Sequence, residues 1–279
     1  MRIGIIGASG FIGRHLTAAL RARGDEIVAA SLRDPASAAT AVGACDAVVN
    51  LAGEPIAQRW TPEIKAKIES SRVDGTRALL EALGRQEAPP VYVAASAIGY
   101  YGYSETATFT EASAPGSDFL ARVCLRWEEA ANHASELGMR VAHVRTGIVL
   151  GKDGGALAKM LPPFSLGAGG VIGSGKQWMS WVHIDDTVGI YLAALEGASG
   201  ALNATAPAPS TNAEFTRALG NALHRPTFLP TPIFALRAML GEGADLLIQG
   251  QRVLPARTQE LGYRFKFDTL DAALADILK

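Results

Sequence analysis

The sequence predicts an α/β protein built on a doubly wound parallel sheet, with a smaller lobe at its C-terminal side. Three observations predict it. A short apolar strand at the N-terminus runs through closely spaced glycines straight into a helical pattern. Strand-like and helix-like segments then alternate as far as Gly151, the order that places helices on both faces of a parallel sheet. After Gly151 the texture changes to glycine, lysine and proline without clear alternation, which marks a second folding region.

The elements follow in order. Ile3–Ile6 reads as the first strand and Phe11–Arg23 as the first helix, stopped by Gly24. Glu26–Ser31 is a second strand, followed by Leu32-Arg33-Asp34-Pro35 as its loop. Ala47–Leu51 is a buried strand ending in Asn50-Leu-Ala-Gly53, and residues 62–83 read as one long helix. Val91–Ala95 is a strand ending at Ser96. Residues 118–138 are a long amphipathic helix with Phe119, Val123, Trp127, Ala130 and Ala131 on one side and Glu128 and Glu129 on its exposed face, and Arg140–Arg145 is the next strand. Trp181–Ile184 and Asp185–Leu195 read as a strand and a helix returning to the main sheet, and Leu270–Leu278 as the last helix. The main domain thus covers 1–151, completed by about 181–204, and the lobe is built from 152–180 and 205–279.

Composition narrows the function. With 48% hydrophobic and 19% charged residues the chain of 279 residues carries a real core and is not a disordered type. A formal net charge of −1 offers no long-range attraction to nucleic acid or to an anionic membrane. Cys45 and Cys124 are far apart and outside any Cys-x-x-Cys spacing, so no disulfide, zinc or other metal site is expected. No apolar run reaches the roughly 18 residues that cross a bilayer, and glycines interrupt the apolar N-terminus as they would not in a secretory signal. A cytoplasmic protein with a small-molecule substrate is the expectation.

The N-terminal run carries the chemistry. Gly7, Gly10 and Gly13 are spaced G-x-x-G-x-x-G between a strand and a helix. Glycine lets the backbone turn sharply and approach phosphates unobstructed, and the free N–H groups at the start of the new helix face the negative charge. The pattern predicts a dinucleotide site made by Gly7, Ser9, Gly10, Phe11, Ile12 and Gly13, with Leu51, Ala52 and Gly53 beside them and Arg14 as a second positive charge on the phosphates. About 20 residues past the glycine turn, an acid favours NAD and an arginine NADP. The count from Gly13 ends on Arg33, whose planar guanidinium can grip a 2′-phosphate. NADP(H) is therefore the expected cofactor and NAD(H) the second choice, since the neighbouring Asp34 could instead turn to the ribose.

These residues, with Ser96-Ala-Ile-Gly-Tyr-Tyr-Gly102 and Trp181-Val-His-Ile-Asp-Asp186, make the chain resemble an extended short-chain dehydrogenase/reductase. Within that superfamily it resembles the epimerase family branch, also described as nucleoside-diphosphate-sugar epimerase-like. The segments carrying the closer likeness are Ser71-Arg72-Val73-Asp-Gly-Thr76, Arg145-Thr-Gly-Ile-Val-Leu-Gly151, Gly173 to His183, Gln249-Gly-Gln-Arg-Val-Leu-Pro255 and Leu261-Gly-Tyr-Arg-Phe265. The resemblance runs from the first strand to the last helix. It implies a Rossmann-type domain, a nicotinamide cofactor and a C-terminal substrate lobe, but no particular substrate.

The resemblance also implies a serine and a Tyr-x-x-x-Lys pair on one helix, the lysine lowering the tyrosine pKa so that the hydroxyl can move a proton. Here the tyrosine position falls on Phe119 or Leu120 and the lysine position on Val123 or Cys124, so the pair is absent. Candidate substitutes are Ser96, at the sheet's carboxyl edge although the family serine falls on Ala97, and Tyr101 on the following loop. Tyr100, Arg145, Lys176, Trp178 and His183 are candidate substrate contacts. Apart from Trp178 these have a plainer reading: packed aromatics for the tyrosines, an ion pair for Arg145, a solvated loop for Lys176 and a junction-ordering imidazole for His183. Two functions follow: an oxidoreductase or epimerase acting on a carbonyl or sugar-nucleotide-type substrate, or a non-catalytic NADP(H)-binding sensor or regulator. In a homodimer, helices 62–83 and 118–138 would form a four-helix contact.

Overall fold

In the computed structural model, which describes residues 1–279, β1 (Arg2–Ile6) passes through the glycine turn into α1 (Phe11–Ala22), and β2 (Glu26–Ala30) returns beside β1 in parallel. α2 (Pro35–Val42), absent from the sequence reading, follows. Its start was written in the chain, since Asp34 accepts a hydrogen bond from the Ser37 N–H at 3.1 Å and Pro35 occupies the first helical position. β3 (Ala47–Asn50) then crosses to the other side of β1.

The expected single helix over 62–83 is two, α3 (Pro62–Ser70) and α4 (Val73–Leu83). Side chains take the carbonyl that would continue the ladder: Ile68 O accepts from Arg72 Nη1 at 3.0 Å and from Ser71 Oγ at 3.3 Å. β4 (Val91–Ala97) ends in a single 3₁₀ turn over Ile98–Tyr101, and the short β5 (Thr108–Phe109) precedes α5 (Phe119–Glu136), which Asp118 caps. β6 (Arg140–Thr146) lies against β4.

β7 (Ile148–Gly151) leads to α6 (Gly155–Ser165), a helix the sequence reading missed because Pro162 and Pro163 sit inside it. Both prolines are exposed. β8 (Trp178–Met179) and β9 (Trp181–His183) come next, then α7 (Ile184–Glu196) and β10 (Gly200–Ala204). β9 does not return to the main sheet as expected; it pairs with β7 in a separate ribbon, and β10 is the strand that joins the sheet, alongside β6. The chain closes with β11 (Ser210–Thr211), α8 (Asn212–Leu223), α9 (Ile233–Leu240), α10 (Asp245–Ile248), β12 (Arg252–Val253), α11 (Ala256–Glu260) and α12 (Leu270–Ile277).

The six-stranded sheet has the order β2-β1-β3-β4-β6-β10, with every pair parallel. Alternation along the strands sorts two cores. Ile3, Ile5, Val49, Val93 and Val144 face Leu16 and Leu20 of α1 and Ile190 and Ala194 of α7. Ile6, Val48, Tyr92 and Ala94 face Val42, Leu79, Leu83 and Ala134 on α2, α4 and α5. A third core gathers Leu157, Phe164, Trp181, Phe215, Phe267 and Leu274 from α6, β9, α8 and the C-terminal segment. Strand order reverses between β1 and β3, so the crevice at their carboxyl ends is where a ligand of an open α/β sheet sits. Cys45 and Cys124 are free and buried, and no helix is long and apolar enough to cross a membrane.

The C-terminal segment is fastened to the sheet domain by Asp186, which is 0% exposed. Its carboxylate accepts from the Tyr263 hydroxyl at 3.0 Å, the Lys266 N–H at 2.7 Å and the Phe267 N–H at 3.0 Å. Replacing Asp186 with alanine strands two backbone donors, and urea denaturation should show a loss of about 3 kcal/mol. An unchanged midpoint would show that these bonds do not hold the segment.

Candidate dinucleotide site

At the end of β1 the glycines are required by contact. Gly7 has φ +87°, and a Cβ there would press on Leu51 and the Ala52 N–H at 3.2 Å. A Cβ on Gly13 would lie 2.2 Å from Gly7 O and 2.9 Å from Ala8 Cα, so only glycine lets α1 approach β1 this closely. Gly10 differs: inside the protein its Cβ would meet only Gly7 O, at 3.3 Å. It is the N-cap of α1, no side chain caps the helix, and no acidic residue stands in its first turn. The donors at this end remain available, in a cradle bordered by Leu51 and Ala52, and that fits a pyrophosphate.

The rest of the expected set divides. Ser9 is exposed beside the turn, and Ile12 packs against the core beneath it. Phe11 lies against the turn from Gly151 to Gly155, where a Cβ on Gly154 would fall 2.4 Å from its ring. Arg14, expected as a second charge on the phosphates, pairs at the surface with Asp153, Nη2 to Oδ2 at 3.2 Å. Arg33 is exposed just beyond β2, and its guanidinium forms no hydrogen bond or ion pair in the protein. Asp34 is engaged as the cap of α2, which leaves Arg33 as the side chain free to face a 2′-phosphate. On the other side of β1, Asn50 is buried. It donates to the Tyr92 hydroxyl at 2.9 Å and accepts from the Ala52 N–H at 3.1 Å, fixing the path of Leu51, Ala52 and Gly53.

Ser96, Tyr101 and Arg145 come together at the carboxyl ends of β4 and β6, but each is turned to its neighbours. Ser96 Oγ donates to Glu128 Oε1 at 2.6 Å; Arg145 Nε and Nη2 donate to the same carboxylate at 2.8 and 2.7 Å. Arg145 Nη1 donates to the Tyr101 hydroxyl at 3.0 Å, which in turn donates to Asn203 Oδ1 at 2.6 Å. All five are buried. Burial pushes the Tyr101 hydroxyl up to about 12 against the pull of Arg145. Burial also opposes the Arg145 charge, but the bidentate Glu128 carboxylate outweighs it and holds the guanidinium above its ordinary pKa. In this arrangement Ser96 and Tyr101 brace the loop after β4, and Arg145 is the partner of an ion pair with both its edges engaged.

Glu128 corrects the sequence reading: it is not on an exposed face but 7% exposed and central to this network. The signal was available, because Cys124 and Ala131, one turn before and after it, are apolar and buried. Asn203 and Glu111 were also missed. Glu111 reaches across from the loop after β5 to accept from the N–H groups of Asn203, Arg257 and Thr258. No local pattern marks such a residue.

Among the expected substrate contacts, Tyr100 is half-buried with the Arg145 guanidinium 3.5 Å above its ring, and its hydroxyl takes no protein partner. Trp178 donates to Glu105 O at 2.9 Å and lies under the Arg252 guanidinium. Lys176 is exposed. His183 belongs to a different place: it caps α7, with Nδ1 accepting from the Asp185 N–H at 3.0 Å, and its ring lies 3.9 Å from that of Phe267.

A bare, glycine-lined helix start at the switch point of a doubly wound parallel sheet defines a dinucleotide-binding protein of the Rossmann type. The model of the NAD dependent epimerase/dehydratase family matches residues 3–204, and that of a domain of unknown function, DUF1731, matches residues 231–277. The chain belongs to the NAD dependent epimerase/dehydratase family. It is 44% identical over 303 residues to the Arabidopsis thaliana epimerase family protein SDR39U1 homolog, a chloroplastic protein, covering 100% of this chain and 87% of that one. It is 41% identical over 294 residues to the human epimerase family protein SDR39U1, covering 100% of both. The crystal structure of human SDR39U1 isoform 2 with NADPH superposes with a TM-score of 0.91 at 38% identity, over 100% of this chain and 99% of that one. A Thermotoga maritima UDP-glucose 4-epimerase, solved with UDP-glucose, shares the fold at a TM-score of 0.83 and 19% identity.

The position of His183 has a consequence for pH. Burial holds its pKa below the ordinary imidazole value, against the pull of Asp185, Asp186 and Asp276 and with that of Lys266. A folded pKa below the unfolded one means that the unfolded chain binds the proton more tightly. Its contribution is complete above the ordinary imidazole value of about 6.5 and is lost as pH falls below it. Protonation of Nδ1 would also remove the cap on α7. Urea midpoints should therefore fall between pH 7.5 and pH 5, and fall less in His183→Asn, which keeps a capping oxygen. Equal slopes in the two proteins would assign the pH dependence to other groups.

Proposed function

We propose that this protein binds NADP(H) across the crevice between β1 and β3. The observation that carries the proposal is the uncapped start of α1 together with an unpaired arginine, Arg33, at the end of β2, where the adenosine ribose of such a cofactor lies. The human relative crystallised with NADPH, alike over the whole chain, supports the same choice of cofactor. When bound, the nicotinamide supplies a hydride donor or acceptor.

The side chains around the end of β4 favour binding over the family's usual proton-coupled chemistry. α5 carries Phe119, Leu120, Val123 and Cys124 where a tyrosine and a lysine would stand, and burial pushes the Cys124 thiol up to about 12. Tyr101 has its donor and its acceptor roles filled within the protein. A non-catalytic NADP(H)-binding sensor or regulator is therefore the reading that the geometry supports best. One observation favours the second reading, an oxidoreductase or epimerase acting on a carbonyl or sugar-nucleotide-type substrate: the Tyr100 hydroxyl, beside Arg145, is free to meet a substrate oxygen. A homodimer through α4 and α5 is compatible with either.

Fluorescence titration should show NADPH bound more tightly than NADH. Arg33→Ala should weaken NADPH by about tenfold or more, the value of one charge-assisted contact, and leave NADH unchanged. An unaltered preference would remove Arg33 from the 2′-phosphate. Following the reduced-nicotinamide absorbance across carbonyls and sugar nucleotides should show no consumption. Consumption abolished by Tyr100→Phe would establish the enzyme reading in its place.

A further inference from the structure

Arg72 carries a positive charge with no ion-pair partner in the protein, although the Glu54 carboxylate pulls on it from a distance. It stands at the break between α3 and α4, and its side chain folds inward. The guanidinium lies over the Trp127 ring of α5, 5.2 Å from its centre, and against Gly53, where a Cβ would be 2.8 Å from Cζ. Nη1 donates to Glu54 O and to Ile68 O, each at 3.0 Å. Nε and Nη2 donate to no protein atom, and no carboxylate lies within ion-pair distance. Burial holds the pKa below the ordinary arginine value, the direction expected of a cation without a partner. Arg72 is half-buried, and its unmet Nε–Nη2 edge is not sealed off from solvent, so it stands open to a ligand.

Its position says what is missing. The sheet order runs β2, β1, β3, β4. With the adenosine ribose at the end of β2 and the pyrophosphate at the start of α1, the remaining half of a dinucleotide lies over β3 and β4. Arg72 is there, packed on Gly53 in the loop after β3. It also stands beside the α5 positions from which the lysine is absent. Trp127 follows them by one turn, and the Arg72 charge is close enough to Cys124 to pull against the upward shift of its thiol.

We propose that Arg72 supplies, from the start of α4, the cation that α5 does not carry, and that its Nε–Nη2 edge grips oxygens of the nicotinamide half of the dinucleotide. Two adjacent N–H donors match a pair of oxygens, whether a ribose diol or the neighbouring phosphate. Gly53 is part of the device, since any side chain there would displace the guanidinium. The inference rests on the NADP(H) reading and deepens it.

Calorimetric titration with three ligands tests it. 2′,5′-ADP carries the adenosine half alone; 2′-phosphoadenosine 5′-diphosphate adds the second phosphate; NADPH adds the nicotinamide riboside. Arg72→Ala should weaken NADPH by about tenfold or more and 2′,5′-ADP by less than about twofold, with Arg72→Lys intermediate because it keeps the charge and loses the fork. A loss already present with the diphosphate assigns the contact to phosphate; a loss confined to NADPH assigns it to the ribose side. Either supports the proposal. No loss for NADPH, or an equal loss for all three ligands in both variants, overturns it by making Arg72 indifferent or merely structural. Failure of the unaltered protein to bind NADPH would instead overturn the cofactor reading itself.

Discussion

The structure depends on one steric constraint, the near-contact between α1 and β1. With Gly13 this close to Gly7 O, the first turn of the helix is pressed onto the end of the strand, and its amides are left without a capping side chain. A capping serine or aspartate would ordinarily stabilise that helix by about 1 kcal/mol. Its absence leaves donors and a positive dipole end facing the crevice, and a protein that maximised helix stability would have closed it. The neighbouring strands respect the same opening: Gly7 takes a left-handed backbone to pass under Leu51 and Ala52, and Asn50 holds those residues at the rim.

Beyond β4 the structure departs from the chemistry its fold usually carries. A carboxylate and a guanidinium are buried together, Glu128 on α5 and Arg145 on β6, with Ser96 donating to the carboxylate, Tyr101 accepting from the guanidinium, and Asn203 in turn accepting from Tyr101. Desolvating such a pair costs several kcal/mol and is offset only where every donor and acceptor is met. That condition explains why Tyr101 is fully hydrogen-bonded: a hydroxyl turned to the crevice would leave Asn203 Oδ1 unpaired in the interior. Stability of this corner and proton transfer by Tyr101 are competing uses of the same atoms.

The legible parts of the chain were those where one local pattern has one physical outcome. The glycine turn and the alternation of strands and helices could be read from spacing alone, and the Asp34-Pro35 start of α2 is written just as plainly. What could not be read was set by contacts distant in sequence. β9 pairs with β7 rather than with the sheet, next to a close approach of Gly147 to Ser180 O, which a Cβ would meet at 2.3 Å. Glu128 looked like an exposed helix charge because its partner lies 17 residues away on another element. α6 was hidden by two prolines inside it, both on its exposed side. Arg72 sat in a motif whose purpose emerges only when Gly53 and Trp127 are seen to enclose it.

Arg33 and Arg72 then describe the crevice from its two sides. Net charge over the chain is −1, so general attraction does not bring an anion to this surface, and local placement must. Other arginines nearby are neutralised within the protein, Arg14 by Asp153 and Arg145 by Glu128. Arg33 and Arg72, neither of them paired with a carboxylate, lie on opposite sides of the switch point, one exposed past β2 and one half-buried behind the loop after β3. An unpaired exposed arginine is ordinary; one folded back onto Trp127 and Gly53 with a whole edge unmet is less so. Their separation along the sheet, with the bare start of α1 between them, is the charge pattern on which the proposed binding of an extended polyanion rests.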